Sequence, residues 1–272
     1  VEATYYDKQT RDGIFSALSS PSSGFPGNKF INIGEFSNSG IELALDGTVV
    51  NKGDWRVGLR GSVSTNDNEI KRLGQDAPIP NTGVGQLVGA YNVNGFPMGS
   101  FFYKKVVSAT LTEPGKVTDV QCEGGTNFGR GNGTKVDCAT APFVFFGGPT
   151  PTWLSAVSGD VAWKSWRLAA VAEFQGGHYT DEGNVGGSHV FFNNSRAAVE
   201  QTDPILVAYQ GMGAFGATGI MKAGFGKIRN VSLTYTMPGQ LAHAMRATGT
   251  TRLIHGHTHR PADHDLGDGL RR

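Results

Sequence analysis

Apolar and polar residues alternate along much of the chain, which is the pattern of a β-strand with two different faces. The alternation occupies six segments: 1–6, 41–49, 55–64, 153–163, 166–175 and 231–237. The residues at 51–54 have the composition of a turn, and only 164–165 separate the next two segments, so both pairs are predicted to be hairpins. Pro238 is expected to end the last strand, because proline cannot donate a ladder hydrogen bond.

The connections between these strands are unequal in length. Two stretches, about 67–150 and 178–222, are rich in Gly, Pro, Asn and Ser and are predicted to be long and irregular. Short turns at one end of the strands and long loops at the other are typical of outer-membrane barrels. All four tryptophans lie at or near predicted strand ends, which favours an interfacial aromatic girdle: Trp55, Trp153, Trp163 and Trp166.

Composition narrows the class of protein. The chain has 272 residues with a net charge of +1, which lacks the basic field of a nucleic-acid-binding protein. The hydrophobic fraction of 38% is too high for a disordered chain, and 40 glycines favour β-structure with long loops. No window approaches the ~18 uninterrupted apolar residues of a transmembrane helix. Because the sequence starts at Val1 without an initiator methionine or a signal peptide, a mature or truncated product is expected.

Five short motifs occur in order along residues 1–238. They are NIGEFSNSGIEL at 32–43, GFPMGSFFY at 95–103, GGPTPTW at 147–153, FQGGH at 174–178 and FGKIRNVSLTY at 225–235. Each resembles a segment of the TonB-dependent outer-membrane receptors of the SusC/RagA-like kind. Five matches in the family's order make this a specific resemblance.

The resemblance implies an all-β fold, an antiparallel up-and-down transmembrane β-barrel of about 22 strands with an N-terminal plug. This chain would supply about six strands with long extracellular loops, so residues 1–238 are expected to be part of a barrel in the bacterial outer membrane. The implied function is energy-coupled uptake of an oligosaccharide, a peptide or a chelate, without enzymatic activity. The implied partners are outer-membrane lipid, the TonB complex and a surface lipoprotein. Binding of nucleic acid is not expected.

Cys122 and Cys138 lie in the first long stretch with 15 residues between them. In an exported protein a disulfide is expected to close such a loop, and it would stabilise the fold by about 3 kcal/mol through the unfolded chain. A reactive thiol is the weaker alternative, because neither a CxxC spacing nor a neighbouring histidine supports it.

The composition changes after residue 238. Five of the seven histidines fall in 239–272, and the segment HGHTHRP at 255–261 resembles the GHTH metal loop of calcineurin-like metallophosphoesterases, most of all UDP-diacylglucosamine hydrolase. By this resemblance His257 and His259 would be ligands of Mn or Zn. The other metal-binding motifs of that family are not found in 1–238, so a complete hydrolase site is not expected. We expect 239–272 to be a separate fragment, a short α/β-type tail joined by a natural or artefactual fusion.

Three functions remain open at this point. The first is the receptor fragment, and the second is a metallophosphoesterase of lipid A synthesis. The third is a soluble β-sandwich binding module, in which Trp55, Val57 and Leu59 would be covered by a second sheet. The glycine-rich segment 129–135 lacks the ending of a phosphate-binding loop and is predicted to be flexible.

Overall fold

A computed structural model describes residues 1–18, 22, 24, 27–75, 77–81, 89–188, 194–236, 239 and 247. Strands account for 62% of the structure and helices for 12%, so the predicted all-β, antiparallel class is confirmed. The tail predicted as a separate fragment lies outside the described residues, except for 239 and 247. The domain boundary near 239 therefore stays a prediction.

The main sheet of the described residues contains seven strands. They are β1 (Glu2–Leu18), β2 (Asn28–Lys52), β3 (Trp55–Thr65), β4 (Asp67–Arg72), β12 (Trp153–Trp163), β13 (Trp166–Gly176) and β16 (Phe225–Tyr235). Their order is β1-β2-β3-β12-β13-β16, and β4 also pairs with β2. Neighbours in the sheet thus follow one another along the chain, as in an up-and-down barrel wall.

The predicted hairpins are present. Turns at 53–54 and 164–165 join β2 to β3 and β12 to β13. Trp55 begins β3, Trp166 begins β13, and β12 has a tryptophan at each end. The sequence predicts only 41–49 for the second strand, whereas β2 extends over 25 residues. Its first half pairs with β1 in a register that shifts around Gly13, where the regular alternation is interrupted.

The chain divides into two compact units. The first unit contains 1–44, 62–156 and 173–227. The second unit contains 45–61 and 157–172, together with the described residues from 228 onward. The second unit is built from strands and the two tight turns, whereas the first also holds both long connections.

The described residues of the first connection (73–75, 77–81 and 89–152) are folded, which corrects the prediction of an irregular loop. They contain one small sheet in the order β11-β7-β6-β5 and another in the order β10-β9-β8. The strands are β5 (Ile79–Pro80), β6 (Ala90–Asn92), β7 (Ser100–Tyr103), β8 (Val106–Glu113), β9 (Lys116–Gly125), β10 (Gly131–Asp137) and β11 (Val144–Gly147). The segment 129–135 is likewise not a free loop, since most of it lies in β10.

The described residues of the second connection (177–188 and 194–224) are also folded. They contain β14 (Tyr179–Asp181), α1 (Gly183–Ser188), α2 (Arg196–Glu200), α3 (Pro204–Gly211), a 3-10 helix (Phe215–Gly219) and β15 (Ile220–Lys222). The Asp203 carboxylate caps α3 by accepting hydrogen bonds from the backbone of Ile205 and Leu206. No helix of the described residues is long and apolar enough to cross a membrane.

Buried apolar clusters explain why both connections fold. One cluster joins α3 to the β10-β9-β8 sheet through Val106, Ala208, Tyr209 and the two cysteines. Another, which we call the aromatic cluster, contains Val93, Phe96 and Phe102 with four flanking rings: Tyr91, Phe128, Phe143 and Phe145. Several of its ring centroids are about 5 Å apart, within the range of favourable aromatic pairs.

Candidate functional site

The second unit has one strongly apolar face that no described residue covers. Val157 is 49% exposed, Leu168 48% and Leu233 58%, far above the values of core residues. The other large members of this face are also exposed: Leu45, Val49, Leu59, Val161 and Val231. We call this surface the apolar face. A contiguous apolar surface of this kind marks contact with lipid or with another protein.

Aromatic side chains border the apolar face at the end with the two tight turns. The rings of Trp55 and Trp163 stack with centroids 5.8 Å apart, and Trp166 lies 4.6 Å from Tyr235. These four rings are 41% to 49% exposed. Aromatic rings with a polar atom are typical of the border between lipid and water.

The opposite side of the second unit, the polar face, carries charged side chains. Arg60 pairs with Asp46, and Arg167 Nε lies 3.2 Å from the Asp160 carboxylate. All four side chains are at least 28% exposed, so these ion pairs stabilise the fold little. Their importance is that they make the two faces different, because charges occupy positions that alternate with Trp55, Leu59 and Val161 along each strand.

In the first unit, a cavity of about 490 Å³ opens beside β1, β2, β3, β12 and β13. Its walls carry the carboxylates of Glu2, Glu42 and Glu173 with hydroxyl and amide groups such as Ser62 and Gln175. The cavity therefore combines acidic groups with apolar walls, which include Leu43, Val63 and Phe174. It could admit hydrated or cationic groups.

A second cavity of the first unit, of about 380 Å³, lies beside the aromatic cluster. We call it the Arg130 cavity, because Arg130 provides its cationic group. The Arg130 guanidinium carbon lies 5.2 Å from the ring centroids of both Phe96 and Phe145. Asp67 and Glu69 line the same cavity.

The predicted disulfide between Cys122 and Cys138 is present in the structure. It links β9 to the end of β10, and both residues are buried. Beside it, the Lys104 ammonium donates to the carbonyl oxygens of Cys138 and Ala139. The bridge thus belongs to the packed interior of the first connection.

Tyr209 joins α3 to this interior. Its hydroxyl accepts a hydrogen bond from the buried Val106 backbone N–H at 3.0 Å. Burial raises the pKa of the Tyr209 phenol above its usual value of 10.0, with a smaller contribution from Tyr103, while the Val106 hydrogen bond opposes the shift. The hydroxyl therefore stays protonated over the physiological range.

The metal-ligand prediction for His257 and His259 falls outside the described residues and stays a prediction. Within the described part of the chain, no group of three His, Cys, Asp or Glu side chains is arranged to hold a metal ion. The candidate sites of the described residues are therefore sought among surfaces and cavities.

Comparisons with solved structures identify a related fold. The RagAB peptide transporter matches with a TM-score of 0.66 and 20% identity, over 88% of this chain and 27% of that chain. The RagAB peptide importer matches in its 'closed-closed' state with a TM-score of 0.67 and 20% identity, over 88% of this chain and 27% of that one. In its 'open-open' state the TM-score is 0.66 and the identity 18%, over 88% and 26% of the two chains.

This chain thus spans about a quarter of the length of the chains that it matches. No protein-family model and no curated protein matches it. The likeness concerns the fold, and it agrees with the SusC/RagA-like fold that the five motifs imply.

The sequence did not identify Arg130 as a functional candidate. Its two supporting rings lie 34 and 15 positions away along the chain. Only folding of the first connection brings them together. The glycines on both sides of Arg130 were the one local signal of an unusual backbone path.

Proposed function

We propose that residues 1–238 form part of the wall and the attached outer connections of an energy-coupled importer in the bacterial outer membrane. The apolar face of the second unit is the observation that carries this proposal. In a water-soluble protein such a surface would be costly to expose, whereas in a barrel wall it faces hydrocarbon.

The strand dimensions support the same proposal. A transmembrane β-strand needs about 9–11 residues when it is tilted by about 45°. β3, β12, β13 and β16 each have 11 residues. The half-exposed Trp55 and Leu59 also favour a barrel wall over the soluble sandwich, which predicts that a second sheet covers them.

The parent protein is proposed to import a nutrient across the outer membrane without chemical conversion. The RagAB structures are those of a peptide transporter, which makes a peptide one of three proposed ligand classes beside an oligosaccharide and a chelate. The TonB complex and a surface lipoprotein are proposed partners of the parent protein. Outer-membrane lipid is proposed to contact the apolar face.

A matched pair of cysteine variants tests the membrane-facing surface. Val157→Cys places a thiol on the apolar face, and Ser158→Cys places one on the polar face one residue away. Because Cys122 and Cys138 are joined, the introduced thiol is the one available for labelling. Each variant is refolded into phosphatidylcholine vesicles and treated with a water-soluble maleimide.

We expect the Ser158→Cys thiol to be labelled in vesicles and the Val157→Cys thiol to be protected. Without lipid, both thiols should react, because the Val157 side chain is half exposed in the protein alone. Equal labelling of the two thiols in vesicles, or recovery of the chain free of vesicles after flotation, would overturn the proposal.

A further inference from the structure

We infer that the Arg130 cavity binds a short peptide with free termini, whose carboxylate pairs with Arg130 and whose ammonium group pairs with Asp67. This inference rests on the proposed import function and narrows its ligand class. It is argued from the donors, the acceptors and the walls of the cavity.

Arg130 is held in place on both sides of its backbone. The Gly129 carbonyl accepts a hydrogen bond from Phe145 N at 2.9 Å, and Gly131 is in register with Gly125 at the start of β10. The guanidinium rests on the rings of Phe96 and Phe145, 5.2 Å from each centroid. These cation–π contacts restrict the exposed side chain, so less conformational entropy is lost when it binds a ligand.

The N–H donors of Arg130 are available to a ligand. Among the residues that the structure describes, none accepts a hydrogen bond from the Arg130 side chain or forms an ion pair with it. The two ring contacts engage the positive charge and use none of its N–H donors as hydrogen bonds to the described residues. The guanidinium presents paired donors that match a carboxylate in a bidentate geometry.

Asp67 provides the opposite charge in the same cavity. It is exposed, and no Lys or Arg side chain of the described ranges lies in salt-bridge distance of its carboxylate. The neighbouring Glu69 is already paired with Lys71 at 2.5 Å. The cavity thus contains one available cation and one available anion that do not neutralise each other.

The walls between these charges suit an amino-acid backbone and side chains. Phe145 and Tyr179 supply aromatic surface, and Thr150 supplies a hydroxyl. The volume of about 380 Å³ is at the small end of ligand pockets, which span about 300–1,000 Å³. A small molecule with a carboxylate at one end, an ammonium group at the other and an apolar body is the complementary ligand.

The dipeptide Ala-Phe and two capped forms of it test the inference by calorimetry on the whole chain in detergent micelles. Ala-Phe amide lacks the carboxylate, and N-acetyl-Ala-Phe lacks the ammonium group. A hydrogen bond to a charged group contributes enough that each cap is expected to weaken binding about tenfold to hundredfold.

The variants separate recognition from folding. Arg130→Gln should reduce the affinity for Ala-Phe to that of the amide and leave the affinity for the amide unchanged. Asp67→Asn should reduce the affinity for Ala-Phe to that of N-acetyl-Ala-Phe and leave the affinity for N-acetyl-Ala-Phe unchanged. Arg130→Lys, which keeps the charge without the planar fork, should be intermediate, and Arg196→Gln, outside the cavity on α2, should have no effect.

The inference is overturned if the folded chain does not bind Ala-Phe, or if neither Arg130→Gln nor Asp67→Asn changes the preference between free and capped forms. Because this experiment uses micelles, its result is independent of the vesicle labelling. Membrane insertion without peptide binding would overturn this site alone. Peptide binding without insertion would overturn the proposed membrane location.

Discussion

An arginine in the middle of β12 should have opposite consequences on the two faces of the sheet. Val157 is the fifth of the 11 residues of β12 and lies on the apolar face, and Ser158 is the central residue and lies on the polar face. Val157→Arg and Ser158→Arg therefore introduce the same group at nearly the same depth. Only the face differs between them.

The magnitude follows from the geometry of the strand. A residue rises about 3.4 Å along a strand, or about 2.4 Å across the bilayer at a tilt of about 45°. Val157, one residue from the centre of β12, is then about 2.4 Å from the midplane, and Val161, three residues away, is about 7 Å from it. A lipid-facing arginine costs about 2–4 kcal/mol at the midplane and about 0–1 kcal/mol near the interfaces.

We therefore expect Val157→Arg to lower the free energy of unfolding by about 2–4 kcal/mol and Val161→Arg to lower it by less. Ser158→Arg should change it by no more than about 0.5 kcal/mol, as at an ordinary surface position. Urea titration of the chain in phosphatidylcholine vesicles, followed by tryptophan fluorescence, measures all three. Equal costs at Val157 and Ser158, or a cost at Val157 that persists without lipid, would refute the assignment of the apolar face to lipid.

Three other changes have defined outcomes. Tyr209→Phe leaves a buried backbone N–H without its acceptor and should lower the free energy of unfolding by about 1–3 kcal/mol. The pKa of Tyr209 is raised above 10.0 in the folded chain, so the unfolded chain loses the phenol proton at a lower pH than the folded chain does. The free energy of unfolding should therefore fall as the pH rises above 10.0. The part of this fall that is due to Tyr209 should be missing in the Tyr209→Phe variant. Replacing Cys122 and Cys138 by serine should lower the urea midpoint by the equivalent of about 3 kcal/mol, and an unchanged midpoint would contradict a stabilising role of the bridge. If His257 and His259 are metal ligands, replacing both by alanine should abolish stoichiometric Mn²⁺ or Zn²⁺ binding in calorimetry, and retained stoichiometry would count against them.

The hairpins of the main sheet could be predicted from the sequence, because one buried or lipid-facing side of a strand imposes a period of two. β12 was predicted with its observed bounds for this reason, and the turn after it was predicted at 164–165, the two residues between two alternating segments. The alternation missed the first half of β2, because glycine and small polar residues between 32 and 40 give no regular period, and only the resemblance of 32–43 to a strand of the receptor family indicated it.

The folding of the long connections could not be predicted in the same way. Several of their strands have only two to four residues, which is too short for an alternation of apolar and polar residues to be recognised. Their stability comes from aromatic residues that are distant along the chain, such as Phe96 and Phe145, and that meet only in the folded state. The Arg130 cavity depends on those contacts, so it could not be recognised from residue types alone.

Backbone hydrogen bonds join the end of the first connection to the start of the second. Asn66 N donates to the Thr152 carbonyl at 2.9 Å, and Thr152 N donates to the Gly176 carbonyl at 3.0 Å. Thr152 is the last residue of the first connection, and Gly176 immediately precedes the second. These bonds therefore tie the end of the first connection to the last residue of β13, where the second connection begins. The spacing between these two ends is thus set by the backbone alone, independently of the side chains that line the cavities of the connections.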